Sequence, residues 1–275
     1  MTDLHTHILY GVDDGSESLE MSLEMLQMAS DTGTHHLVLT PHCNVPDGYM
    51  NHMNSTIIGR YEKIKQEVKR LHIDIDVHLG MEVFASEDVD ELIKAEEIIP
   101  INKTRYLLIE FAFETDPMWV GYVLDKVQRT GLTPLLAHPE RYIFVQNFPY
   151  MVHDWMKSGC MIQVNRGSVM GRFGQVVEET AHFLIEHGFV HVIASDGHRP
   201  YTRTPVLNDA YDCVADYYGV MTADRLFKIN PRRILTNQKI ISSSRHDSYN
   251  PYGDYHRRDD YYRHRRHSDF DDFDE

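Results

Sequence analysis

The chain opens Met-Thr-Asp-Leu-His-Thr-His, which sets His5 and His7 two positions apart, and a pair of acids, Asp13 and Asp14, follows just downstream. In an extended segment, residues i and i+2 project to the same face, so both imidazoles can aim at one point. Two neutral imidazoles converging in this way are half of a site for a first-row transition metal. A frayed terminal strand with surface histidines would show the same spacing. The rest of the chain has to decide.

Apolar runs rich in Val, Ile and Leu alternate with longer amphipathic stretches. The runs DLHTHI, HLVLTPH, IDVHLGMEV, YLLIEF, TPLLAHPE, CMIQVN and VHVIASDGH read as strands. Helical patterns fall between them at 17–32, 55–71, 87–97, 117–130, 149–158, 174–187 and 205–218, and Gly33, Gly131, Gly159 and Gly188 stand where helices should end. Met21, Met25 and Met28 form a core stripe on the first helix. Repeated strand–helix units imply an α/β protein with a parallel sheet, either open or closed as a barrel. In such folds the βα loops converge at the C-terminal ends of the strands. Those ends here carry His5 and His7, then His42, Glu82, Glu110, His138, Asn165, and finally Asp196 with His198. Chance would scatter acids and histidines over both ends and over the helices.

With Asp14, this makes four carboxylates and five histidines, enough for two or three ions with some carboxylates bridging. A nitrogen and oxygen donor set without thiolates suits Mn, Fe or Zn. Four acids in one cleft would repel one another without cations. His35, His36, His72, His78, His153, His182, His187 and His191 have no such context and read as surface or core histidines.

The motifs DLHTHILYGVDDG, TPH at 40–42, GMEV at 80–83, LIEF at 108–111, AHPERY at 137–142, QVN at 163–165 and ASDGH at 194–198 resemble, in order, the PHP (polymerase and histidinol phosphatase) superfamily. More closely, they resemble the manganese-dependent tyrosine-protein phosphatases of bacterial capsule and exopolysaccharide clusters. The resemblance implies a distorted (β/α)7 TIM-like barrel with three divalent ions, Mn²⁺ foremost. It implies one ion on His5, His7, Glu82 and Asp196, a second on Glu82, Glu110 and His138, and a third on Asp14, His42 and His198. Arg141 and Arg203 fall on the family's phosphate-binding arginines. The implied substrate is a phosphotyrosine protein, in particular a bacterial tyrosine kinase that regulates capsule synthesis. A phosphate monoester dianion repels hydroxide, and metal ions answer this by lowering the pKa of bound water and holding non-bridging oxygens. A phenolate leaving group, with a conjugate acid near pKa ~10, needs little protonation, so no side chain is assigned as general acid.

Composition narrows the rivals. A net charge of −15 argues against nucleic acid as a partner, and with it against a polymerase-associated nuclease. Three widely spaced cysteines argue against a disulfide framework, and the polar N-terminus has no leader pattern, so a cytoplasmic protein without a membrane segment is expected. Whether it forms a homo-oligomer is left open. Cys160 and Arg166 make a formal C-x5-R, but the residues between them read as a buried strand without glycine, which cannot wrap a phosphate. A related enzyme acting on a small monoester such as histidinol phosphate differs only in pocket shape. A non-enzymatic regulatory subunit would show a broken ligand set, and none of the nine positions is broken. From about Ser242 the composition changes abruptly, to mixed charge with no aliphatic residue and with Tyr249, Tyr252, Tyr255, Tyr261 and Tyr262. A barrel over 1–241 and a disordered tail over 242–275 are therefore expected, the tail resembling the tyrosine clusters of kinases that partner these phosphatases.

Overall fold

The computed structural model describes residues 1–241. The tyrosine-rich tail and its expected disorder lie outside the described residues. Among the described residues nine strands, all paired in parallel, form two sheets: β1 (Thr2–Asp3), β2 (His36–Leu39) and β4 (Asp76–Leu79) in one, and β3 (His42–Cys43), β5 (Glu82–Phe84), β6 (Tyr106–Glu110), β7 (Thr133–Ala137), β8 (Met161–Asn165) and β9 (Val192–Ala194) in the other. Two of the expected strands are each broken in the middle, at Thr40–Pro41 and at Gly80–Met81. Proline cannot donate to a ladder. A side chain on Gly80 would press on Ile101, its Cβ 3.2 Å from the Ile101 Cα. Taking β2 with β3 and β4 with β5, seven strand positions run around a distorted (β/α)7 barrel. The ring closes where Thr6 bridges Gly197 in parallel, with His7 N donating to Gly197 O at 2.8 Å and Asp196 N to His5 O at 2.9 Å.

Side-chain alternation explains the layering. Leu107 and Ile109 of β6, Leu136 of β7, Ile162 and Val164 of β8, and Ile193 of β9 join the large core under the helices. Their alternates Tyr106, Leu108, Leu135, Ala137 and Val192 form a second cluster with Leu4, Val38, Ile101, Ile234 and Leu235, which fills the lower barrel. Further along the same inward rows the residues turn polar: Glu110 on β6, and Gln163 and Asn165 on β8. One end of the barrel is thus packed apolar and the other is lined for chemistry.

The helices follow the sequence pattern: α1 (Leu19–Asp31), α2 (Ser55–Leu71), α3 (Val89–Lys94) and α4 (Pro117–Arg129) in the first half, capped at Ser18, Asn54 and Asp116 on α1, α2 and α4. The expected helices at 149–158, 174–187 and 205–218 appear as Met151–Lys157, Gln175–Glu186 and Asn208–Tyr218. Short helices at Ile143–Asn147, Arg166–Val169 and Asn230–Leu235 add to the expected set. They are too brief to carry a period.

Candidate metal centre

The nine side chains at the strand ends meet in one cleft. His5 Nε2 lies 3.1 Å from Glu82 Oε1 and 3.5 Å from Asp196 Oδ1, and His7 Nε2 lies 3.2 Å from Glu82 Oε2 and 3.4 Å from Asp196 Oδ1. His138 Nε2 is 3.0 Å from Glu82 and 3.5 Å from Glu110. On the other flank Asp14 is 3.6 Å from His42 and 3.4 Å from His198. Four overlapping groups have all their ligand atoms within 4.8 Å of one another: His7, Asp14, His42 and His198; His5, His7 and Asp196; His5, Glu82 and His138; His42, Glu82 and Glu110. These differ in detail from the three expected sets, because His7 also faces the Asp14 group and His42 also faces Glu82 and Glu110. Glu82 is the hub of the cleft and is almost fully buried.

The pattern DLHTHI predicts a strand through His7, yet β1 stops at Asp3. The segment from Leu4 to His7 is held instead by its backbone bonds to Asp196 and Gly197, which replace the ladder. Gly15 is required by the same packing, since a Cβ there would fall 1.9 Å from His7 O. His138 (φ 35°), Asp196 (φ 52°) and Arg203 (φ 52°) adopt the left-handed conformation that L-residues avoid. Such strain persists where the surroundings over-determine it, commonly at functional sites.

Hydrogen bonds behind the cleft fix which ring nitrogen faces inward. His5 Nδ1 donates to Gln163 Oε1 at 2.9 Å, His7 Nδ1 to Asp13 Oδ2 at 2.8 Å, and His198 Nδ1 to Asp196 O at 2.9 Å. Each turns Nε2 into the cleft with Nδ1–H as the outward donor, the orientation in which an imidazole ligates a metal. The chain continues: Gln163 Nε2 donates to Asn165 Oδ1 at 2.7 Å, and Asn165 Nδ2 to Asp196 Oδ2 at 2.6 Å. One relay on β8 therefore orients both a histidine and a carboxylate. Asp13, Gln163 and Asn165 are thus supports of the cleft beyond the nine expected ligands. Their signal was available as a double acid at 13–14 and as two polar residues, i and i+2, in the apolar strand MIQVN.

The electrostatics fit a cation. Burial opposes charge on Glu82, but His5 and His42 hold its carboxyl well below the usual range. Burial, reinforced by Glu82 and Asp196, pushes Glu110 up. Burial lowers His138 to about 4 and, with His7, lowers His198, so both imidazoles are neutral at neutral pH and able to ligate. The buried His42 Nδ1 and His198 Nε2 sit near carboxylates without a hydrogen bond. Carboxylate and imidazole donors, the carboxylates crowded against one another, fit divalent ions of the Mn, Fe or Zn kind.

Both arginines reach this cleft. Arg203 pairs with Asp196 Oδ2, and Arg141 Nη1 stands 3.9 Å from the same oxygen. Cys160 and Arg166 do not belong to it. Cys160 is buried, its thiol is pushed up to about 12 by burial, and Arg166 is committed to Asp209. A thiolate nucleophile is disfavoured there. His153, His182 and His191 are buried away from the cluster. Among the described residues no helix is long and apolar enough to cross a membrane.

A family profile described as capsular polysaccharide synthesis, CpsB/CapC, matches residues 1–236. The chain is 32% identical over 245 residues to the tyrosine-protein phosphatase CpsB of Streptococcus pneumoniae, covering 87% of this chain and 100% of that one. It is 28% identical over 241 residues to the tyrosine-protein phosphatase YwqE of Bacillus subtilis, covering 88% and 94%. A crystal structure from work on YwqE of Bacillus subtilis and CpsB of Streptococcus pneumoniae, described as unique metal-dependent tyrosine phosphatases, superposes with a TM-score of 0.83 at 27% identity, covering 88% of this chain and 97% of that one.

Proposed function

Because the chain belongs to the CpsB/CapC family of capsular polysaccharide synthesis, we propose that it is a metal-dependent protein-tyrosine phosphatase whose substrate is a bacterial tyrosine kinase controlling capsule or exopolysaccharide synthesis. The observation that carries this reading is the convergence of nine nitrogen and oxygen ligands, their tautomers set from behind, beside two arginines. In it His5, His7, Glu82 and Asp196 hold one ion, Glu82, Glu110 and His138 a second, and Asp14, His42 and His198 a third, with Mn²⁺ the metal and Fe or Zn its alternatives. Bound divalent ions supply Lewis acidity to the phosphoryl oxygens and lower the pKa of coordinated water. The chain's own part is positional. Arg141 and Arg203 bind the equatorial oxygens of the transferring group and orient it. The buried walls formed by His5, His7 and Glu82 keep bulk water from screening these charges.

The test is hydrolysis of a phosphotyrosyl peptide after chelation, followed by addition of Mn²⁺, Fe²⁺ or Zn²⁺ singly. A phosphoseryl peptide and histidinol phosphate serve as competing substrates. Loss on chelation, return with Mn²⁺ and a preference for phosphotyrosine are expected. Activity that survives chelation, or a preference for histidinol phosphate, overturns the reading.

A further inference from the structure

Arg141 sits at the mouth of the cleft on the turn after β7, and its guanidinium is placed by two phenyl rings. Its Cζ lies over Phe113, 4.4 Å from the ring centroid, and over Phe173, 4.6 Å from that centroid. Phe173 also lies 6.0 Å from the Arg203 Cζ, so one ring borders both arginines. The Asp196 carboxylate, at 3.9 Å from Arg141 Nη1, is beyond hydrogen-bond reach and does not by itself fix the guanidinium plane.

The rings are themselves anchored. Phe113 meets the His138 ring edge-on at 6.1 Å and packs on Tyr142 at 6.2 Å. Its carbonyl accepts from Ile143 N at 2.9 Å. Phe173 occupies space that exists because residue 167 is glycine, since a Cβ on Gly167 would lie 2.7 Å from the Phe173 Cε2. Three separate segments, after β6, β7 and β8, thus meet around one guanidinium.

We infer that Phe113 and Phe173 are positioning residues of the anion site, holding Arg141 with its N–H edge ready for the phosphoryl group, and that Gly167 is kept small to seat Phe173. A free arginine side chain loses rotamer freedom when it grips a phosphate, and a guanidinium already stacked on rings has lost it beforehand. Aromatic faces also favour the cation while leaving its in-plane donors open. The inference rests on the reading of Arg141 as a phosphate ligand.

The test uses full-length protein carrying Phe173→Leu, Phe173→Trp or Gly167→Ala. Affinity for inorganic phosphate is measured by calorimetry on the Mn²⁺-loaded form, and KM and kcat are measured on an aryl phosphate. The Arg141 Nε–Hε NMR signal is followed in metal-free protein and assigned with Arg141→Lys. Phe173→Leu should weaken phosphate binding about tenfold, the size of one partly desolvated cation–π contact, and raise KM in step with little change in kcat. The ring-shifted Arg141 signal should move in Phe173→Leu and in Gly167→Ala, and Phe173→Trp should restore both affinity and shift. Unchanged phosphate affinity and an unmoved arginine signal in Phe173→Leu overturn the inference, as does failure of Trp to rescue. If the wild type hydrolyses no aryl phosphate while phosphate affinity and the arginine signal respond as expected, the inference stands and the phosphatase reading falls. If the wild type is active and the variants match it in all three measurements, the reverse holds.

Discussion

Asp13 and Asp14 are adjacent and alike, yet the structure gives them different work, and Asp13→Asn should separate them. Asp13 Oδ2 accepts from His7 Nδ1 at 2.8 Å and from His42 N at 3.0 Å, while Oδ1 accepts from Gly15 N at 3.0 Å. Asparagine fits the space but replaces one oxygen by a donor. If the amide oxygen takes the Oδ2 place, the NH₂ faces the Gly15 N–H and one bond is lost. That orphaned donor costs about 1–3 kcal/mol, or roughly 2–6 °C in melting temperature for a domain of this size. In the flipped orientation His7 must accept at Nδ1 and carry its proton on Nε2, the atom aimed into the cleft. Either way the charged partner that makes His7 basic is gone. Loss of such a supporting carboxylate costs about 10–100-fold in metal affinity, equivalent to ~1.4–2.8 kcal/mol. The assay is a Mn²⁺ titration of aryl phosphate hydrolysis. Asp13→Asn should need 10–100 times more Mn²⁺ (~1.4–2.8 kcal/mol) and then regain most of the wild-type kcat. Asp14→Asn, which removes a proposed ligand, should not recover at any Mn²⁺ concentration. An Asp13→Asn enzyme with the wild-type Mn²⁺ requirement would refute the assignment of His7 Nε2 as the inward donor.

Glu82→Ala or His138→Ala should each lower turnover by at least ~10³-fold, because each removes a hub of the charge-stabilising cluster, and measured turnover within tenfold of wild type would contradict the shared role of Glu82. Cys160→Ser should leave aryl phosphatase activity and its resistance to thiol alkylation unchanged, in line with a buried thiol pushed up to about 12. The pH dependence of stability has a local contributor far from the cleft: burial and Arg232 hold His36 below the usual imidazole range. The unfolded chain therefore binds more protons than the folded one between that lowered value and about 6.5, so this residue makes stability rise with pH through that window. Urea midpoints of His36→Asn should consequently fall less than those of the wild type between about pH 7.5 and about pH 5.5, and an equal fall would show that His36 does not contribute. Deleting 242–275 should leave hydrolysis of a small aryl phosphate intact, while mass spectrometry after co-expression with the cognate kinase should find phosphate on tyrosines of that segment.

The strand ends were legible because period-two alternation and the parallel-barrel rule both depend on composition that a sequence displays. Glu110 follows Leu107, Leu108 and Ile109 on β6, and no packing argument wants a carboxylate there. The breaks at Pro41 and Gly80 were less visible, since a strand-like run resumes after each one and the sheet split is decided by contacts with Ile101 and with neighbouring strands. The supporting relay showed in the sequence only as two polar residues, Gln163 and Asn165, in an apolar strand; its link to Asp196 did not, because that bond joins residues 31 apart through side-chain orientation alone. The same holds for Phe113 and Phe173. Two ordinary phenylalanines become neighbours of Arg141 only after three strand–loop junctions are brought together.

The cleft and the barrel seam share one place. His5 and His7 belong to the first strand position, and Asp196 and His198 to the last. The seam between them is short, carried by the Thr6–Gly197 bridge and the backbone bonds from His7 and Asp196. Asp3 adds to it from below, accepting from His5 N at 3.3 Å and Ser195 N at 3.1 Å, and burial pushes its carboxyl up to about 6. A barrel closed by so few ladder bonds gains from any further link across the gap. A divalent ion held by His5, His7 and Asp196 would join chain segments about 190 residues apart, where loop closure is entropically most costly. An ion binding only the folded chain stabilises it by about 2.7 kcal/mol at a hundred times its dissociation constant. The ligands proposed for chemistry are therefore also placed to fasten the fold where the last strand position returns to the first. That double duty puts Asp196, held at φ 52°, both at the closing seam and at the centre of the cleft, while Glu82 and Glu110 reach the same ions from the strands across the barrel.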